Sequence, residues 1–160
     1  MGLAFVNYYK GLFTVGHEGE MGPCLQFIKP VITSSMNEDL GRSFTEEEVN
    51  IALQQMAPLK ALGLNGLNAY FFQQNWTVMG SEVCRGILEI LNFGIMPDSL
   101  NMTHIAFIPK IKSLESVNDY HCISLCNVLY KLVSKVLANR LKKILMSAKY
   151  RIFGPLTYIC

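Results

Sequence analysis

Charge is scarce in this sequence. Only 16% of its 160 residues are Asp, Glu, Lys or Arg, against 51% hydrophobic, which excludes a solvated disordered tail. Paired cysteines are missing as well. The five cysteines (Cys24, Cys84, Cys122, Cys126, Cys160) are odd in number and include no CxxC pair, so reduced thiols in a cytosolic or nuclear compartment are expected rather than a disulfide framework. The opening MGLAFVNYYKGLF lacks a basic n-region and a small-residue cleavage site, so no secretory signal is expected. Gly2 would suit N-myristoylation, but Val6 stands where that motif needs Ser or Thr. No uncharged apolar run approaches bilayer length, and no membrane partner is expected. There is no internal repeat and no low-complexity tract.

What is present is a core-sized apolar inventory with an uneven charge distribution. The length suits one domain or part of a larger one, and the high apolar content suits a surface that packs against further polypeptide. Residues 1–100 carry five Lys and Arg against ten acids, a net of −5, whereas residues 101–160 carry nine against two, a net of +7. The overall +2 hides this. A basic C-terminal third implies an anionic partner, either nucleic acid or an anionic surface.

Along the chain, LAFVNYYKGLF (3–13) has Phe5, Tyr8, Tyr9 and Leu12 near helical spacing. Residues 14–42, rich in Gly and Pro, read as mostly loop with a short ordered piece around 24–33. SFTEEEV carries the clearest helix start: Thr45 caps, Glu48 closes a capping box, and Phe44 with Val49 forms a hydrophobic staple. Three glutamates in that first turn suit the helix dipole, so a structural role is expected for them. After a loop at 59–68, AYFFQQNWTVM is expected to be a helix ending at Gly80, and 81–94 a further helix capped by Ser81 and stopped by Gly94. MTHIAFIPK (102–110) is the best strand, followed by a polar loop at 112–120. The expected class is α+β, mainly helical, with about one short strand or hairpin.

Three features bear on chemistry. His121, Cys122 and Cys126, with His104 as a possible neighbour, offer one CxxxC spacing and no second pair, so no metal is expected. KALGLNG has glycines and a lysine but not the Gly-Lys-Ser/Thr of a phosphate loop. The third feature is a helix expected from about Ser124 to Leu145, with Leu125, Val128, Leu129, Leu132, Val133, Val136 and Leu137 on one broad face. Lys131, Lys135 and Lys142 gather on one edge of the other side, with Arg140 and Lys143 off that line. Periodicity leaves two main readings open, a core helix with a solvated basic face or a contact for nucleic acid. A membrane-surface helix is less expected, because the apolar face has no Trp or Phe and the other elements offer it a partner. No Ser-His-Asp set or acidic pair is placed by spacing alone.

Five blocks go further: NYYKGLFT, MNEDLGRSFTEEEVNIALQQM, KALGLNGLNAYFFQQNW, MPDSLNMTHIAFIPKIK and NDYHCISLCNVLYKLVSKVLANRLKKIL. In that order, from about residue 4 to residue 145, the chain resembles the start of the reverse transcriptase region of plant LINE-type (non-LTR) retrotransposons. The resemblance implies a truncated fingers portion of a reverse-transcriptase fold: residues 1–42 leading in, 43–145 as partial fingers, and 146–160 as a divergent tail. It implies an RNA-directed DNA polymerase whose partners are an RNA template and a DNA primer. Lys110 then matches the fingers lysine near the nucleotide triphosphate. Lys131, Lys135, Arg140, Lys142 and Lys143 match basic positions facing the nucleic-acid backbone.

The chain also departs from the family pattern. His121 stands where the family has the arginine that holds the triphosphate, and histidine cannot make arginine's bidentate fork. Cys122 stands where a proline is usual. Leu62, Leu64 and Asn65 replace the two prolines and the aspartate of the family's glycine loop, which removes rigidity and a charge. The palm aspartates that hold two Mg2+ ions in the intact family enzyme have no counterpart in these residues. No cofactor and no polymerase activity are therefore expected of this chain alone. The alternatives are a residual nucleic-acid-binding fragment using 124–145, or a degenerate chain without function.

Overall fold

The computed structural model describes residues 2–14, 32–60, 62–63, 65–113 and 116–153. Among these are seven α-helices and one two-stranded antiparallel hairpin, a mainly helical architecture. The helices are α1 (Gly2–Phe13), α2 (Ser34–Gly41), α3 (Glu46–Gln54), α4 (Ala69–Gln74), α5 (Trp76–Phe93), α6 (Asp98–Asn101) and α7 (Val128–Phe153). The strands are β1 (Thr103–Pro109) and β2 (Tyr120–Cys126). The expected ordered piece at 24–33 falls almost wholly outside the described residues.

The chain divides into two compact units, Met1–Pro30 with Ile105–Ile123, and Val31–His104 with Ser124–Cys160. In the first, α1 lays Phe5 and Tyr9 on the hairpin: the Phe5 and Phe107 rings are 4.4 Å apart, Phe5 and Tyr120 5.3 Å, Tyr9 and Phe107 5.9 Å. Tilted, edge-on and stacked aromatic pairs at such distances add to plain area burial. Tyr8 donates its hydroxyl hydrogen to the Asn118 side chain. Leu12, on the stripe expected from spacing, is exposed.

The second unit holds the main core. Val49, Ala52 and Leu53 of α3, Ala69 and Phe72 of α4, Ile87 and Ile90 of α5, and Leu132, Val133 and Val136 of α7 are all buried in one cluster. Each large side chain removed from water in this way contributes about 1.5–3 kcal/mol. Polar ties lock the corners. Gln73 donates to the carbonyls of Leu53 (2.9 Å) and Met56 (3.0 Å), closing the C-terminal end of α3. Asn127, itself buried, accepts from Tyr130 N at 2.8 Å, so it caps α7, and donates to Leu100 O at 3.0 Å.

Several boundaries differ from expectation. Residues 34–41, read as loop, are helical; Thr33 caps them through a 3.3 Å bond from Met36 N, but none of their side chains is buried, so they carry no apolar period. The break between α4 and α5 lies at Asn75, not Gly80, and Ser81 is inside a helix rather than capping one. Asn75 uses its side-chain amide to bond Phe71 O at 2.8 Å, ending α4. Gly80 lies inside α5, where its missing side chain leaves room for the Trp76 ring, which a Cβ would meet at 2.9 Å. Gly94 does stop α5, at φ +75°. Ser124–Cys126 belong to β2, and the basic helix begins only at Val128.

The expected capping box is present. Thr45 Oγ1 accepts from Glu48 N at 3.4 Å and Glu48 Oε2 accepts from Thr45 N at 3.1 Å. Glu48 also meets a partner no spacing rule showed. Arg140, only 5% exposed, uses all five N–H groups inside the protein. Its Nε and one terminal nitrogen donate to the two Glu48 oxygens at 3.2 and 2.6 Å; the rest go to the carbonyls of Leu40, Arg42 and Ser43. The Phe44 ring lies 3.5 Å beneath the guanidinium carbon. Arg140 therefore stands on the core stripe of α7, and the exposed Leu137 does not.

Burial alone would raise the Glu48 pKa, but hydrogen bonds from Arg140 and Thr45 and the charges of Arg140 and Arg42 outweigh it and hold the carboxyl below its ordinary 4.5. A depressed carboxyl contributes stability above its unfolded value and loses it as pH falls through the folded one. Arg140→Met should lower the unfolding free energy at pH 7 by about 3–5 kcal/mol in urea titrations, the scale for breaking a buried pair at one partner. Glu48→Gln should remove the part of the acid sensitivity that lies below pH 4.5.

Candidate nucleic-acid interface

The basic residues singled out from the sequence separate by unit and by face. Lys110 and His121 lie in the hairpin of the first unit. Lys110 N donates to Asp119 O at 2.7 Å at one end, and Thr103 Oγ1 meets Cys126 Sγ at 3.5 Å at the other. This register, with the two-residue alternation of strands, puts Lys110 and His121 on one face and Phe107, Tyr120 and Cys122 on the other. Both candidates are exposed. The Lys110 ammonium donates to Asn118 O at 2.7 Å, which fixes it at the loop end of the hairpin. His121 and Cys122 point to opposite faces, and the described residues bring together no three His, Cys, Asp or Glu side chains able to hold a metal.

In the second unit α7 and α3 enclose a groove. Two hollows meet at Gln55 and Lys135. One, of about 330 Å³, has Met56, Ala57, Ala69 and Val128 along its walls and Lys60, Lys131 and Lys135 among its polar lining. The other, of about 430 Å³, mixes Glu48, Lys135, Asn139, Arg140, Lys142 and Lys143 with the apolar side chains of Ile51, Val136 and Met146. Helical periodicity accounts for the cations: 131, 135 and 142 fall within a narrow arc, and 143 lies to one side of it. Lys143, off the line by spacing, nonetheless joins the groove. Arg140, grouped with these residues by its charge, is turned to the core, where Glu48 and three carbonyls occupy every donor it has. Because the Glu48 charge is matched by Arg140, at 2.6 Å, and Arg42, at 3.7 Å, the groove keeps its positive sign.

Lys60 is a contributor that helical spacing could not reveal, since it sits in the glycine loop. Its position follows from two glycines. A Cβ on Gly63 would collide with Asn127 Cα and fall 2.8 Å from Cys126 O, so only glycine lets the loop press against the start of α7. Gly66 adopts φ +67°, closing a turn with Gly66 N to Gly63 O at 3.1 Å. Asn65, where the resemblance implies an aspartate, accepts from Leu67 N at 3.3 Å, a local bond either side chain can make. Leu64 lies outside the described residues.

No family model matches the chain. The chain is similar to a transposon protein. Over 116 residues, 72% of its length, it is 32% identical to the Transposon TX1 uncharacterized 149 kDa protein of Xenopus laevis, of which it spans 9%. That relationship places the chain beside a transposable element and fixes no activity for it. Among the described residues no helix is long and apolar enough to cross a membrane.

Gly63→Ala should separate the loop from α7. We expect a lower melting temperature and faster tryptic cleavage after Lys60 than in the parent chain, whereas Gly11→Ala, where a Cβ inside α1 meets open space, should neither lower the melting temperature nor speed that cleavage.

Proposed function

We propose that this chain is the fingers portion of a retrotransposon RNA-directed DNA polymerase, and that its own role is to hold nucleic acid rather than to perform metal chemistry. The observation that carries the reading is the groove between α3 and α7. There Lys60, Lys131, Lys135, Lys142 and Lys143 share one channel, while Glu48, the one acid lining it among the described residues, is neutralised. Such a row neutralises phosphates without reading bases, as a polymerase that copies any sequence requires. Similarity to a transposon protein supports the assignment, and so do the five ordered blocks from residue 4 to residue 145.

Lys110 and His121, on one face of the hairpin, are then the positions for the triphosphate, with Lys110 supplying charge. Histidine in place of the family's arginine lacks the two-pronged donor that would hold two phosphate oxygens together, so weak nucleotide affinity follows. The two-metal carboxylates of the polymerase lie outside these 160 residues, and the template and primer are the partners the groove serves.

Two measurements test this. Affinity for an RNA–DNA duplex should fall steeply with salt, and Lys135→Glu with Lys142→Glu should weaken it at least about tenfold while flattening the salt slope by roughly one unit for each phosphate no longer neutralised. Binding without salt dependence, or unaffected by the pair, contradicts the reading. Primer extension on an RNA template with Mg2+ should give no product from the chain alone.

A further inference from the structure

The stripe residues of α1 have different uses. Phe5 and Tyr9 seat the helix on the hairpin. Tyr8 stands edge-on to Tyr9 at 5.1 Å and stays 37% exposed, so its ring buries little. Its hydroxyl instead donates to the side chain of Asn118, 110 residues along the chain. Asn118 lies in a single 3-10 turn, Val117–Asp119, that ties itself shut. Ser116 Oγ accepts from Asn118 N at 3.2 Å, Asp119 Oδ2 from Ser116 N at 2.7 Å, and Ser116 O from Asp119 N at 3.1 Å. Lys110 meets this turn twice, through its main-chain N at Asp119 O and its ammonium at Asn118 O, each at 2.7 Å. A run of hydrogen bonds thus leads from Tyr8 through Asn118 to the Lys110 ammonium.

We propose that Tyr8 is a positioning residue for Lys110: by holding Asn118 to α1, it keeps the ammonium in one place for a triphosphate oxygen. The inference rests on the reading of Lys110 as the triphosphate lysine and gives α1 a part in that site. A free lysine side chain has much rotamer freedom to lose when it meets an anion. Donating one ammonium hydrogen to Asn118 O takes up part of that loss before the ligand arrives, and an ammonium has two more hydrogens to give. Histidine at 121 sharpens the requirement. Without an arginine fork to grip two oxygens, the site leans on the single charge of Lys110, so the placement of that charge governs affinity.

The tyrosine hydroxyl has a specific part in this assignment. Phenylalanine could keep the edge-on contact with Tyr9, but it has no hydrogen for Asn118. The internal bonds of the turn fix its shape, whereas the bond from Tyr8 braces it on a helix that Phe5 and Tyr9 already hold. Removing the hydroxyl is therefore predicted to loosen Lys110 while leaving the aromatic seat of α1 in place.

The test titrates thymidine triphosphate with Mg2+ into the 160-residue chain. Without ligand, it also measures the NMR order parameter of the Lys110 ε-methylene beside that of the exposed Lys112. Tyr8→Phe removes the hydroxyl and keeps the ring; Asn118→Ala removes the acceptor and keeps the carbonyl that meets Lys110. With unfolding midpoints unchanged, each is expected to lower the Lys110 order parameter toward that of Lys112. Each should also weaken triphosphate binding about threefold to tenfold, the scale of ordering one long side chain. Lys110→Met should remove most of the affinity, and adding Tyr8→Phe to it should remove no more. An unchanged Lys110 order parameter or an unchanged affinity in Tyr8→Phe, where Lys110→Met abolishes binding, overturns the assignment. So does an equal loss from Tyr8→Phe in the parent and in the Lys110→Met background. Binding that survives Lys110→Met, or no binding by the parent chain, overturns instead the reading of Lys110 on which the assignment rests.

Discussion

The Arg140 guanidinium organises the second unit of this protein. It joins the first turn of α3 to the middle of α7, and it gathers the carbonyls of 40, 42 and 43 that lead from α2 into α3. A buried cation is costly unless its donors are met, and here a carboxylate, three carbonyls and an aromatic face meet them. Glu48 is held in turn by Thr45, so the cap of α3 and the ion pair share one carboxylate. The groove depends on this arrangement. With every Arg140 donor taken inside the protein, the other cations that line the groove on α7 are lysines.

That division between one structural arginine and several ligand-facing lysines follows the chemistry of the two side chains. A planar fork with five donors suits a fixed, many-partnered buried site, whereas flexible ammonium groups on long stems suit contacts with a phosphate chain whose sequence varies. The glycine loop extends the same surface. Gly63 brings backbone against backbone where a side chain would collide, and Lys60 is carried to the groove by that contact.

Much of the helical framework is legible in the residues because local rules govern it. The Thr45–Glu48 box, the stop at Gly94 and the β-branched stretch at 103–109 each rest on chemistry within a few positions. The misplaced features depend on contacts that no local pattern carries. Gly80 reads as a stop, yet it lies inside α5 with the Trp76 ring in the space a side chain would take. Ser124–Cys126 follow a helical apolar pattern yet pair with β1, because a neighbouring strand supplies their hydrogen bonds. Arg140 falls on the same stripe as Val136 and Ile144 in an i, i+4 pattern, so its inward direction is implicit in the period. Its charge, which argues for the surface, masks that signal. Lys60 carries no local signal at all, since its relevance comes from tertiary contact alone.

The central claim is that Arg140 and Glu48 form one structural unit rather than two surface charges that happen to meet. A double-mutant cycle with Glu48→Gln, Arg140→Met and the two combined, followed by urea unfolding at pH 7, tests it most directly. Residues that act as a unit should show an interaction energy of about 2 kcal/mol or more, with the double variant far less destabilised than the sum of the singles. Additivity within about 0.5 kcal/mol would mean that the two side chains act independently, and would contradict the account.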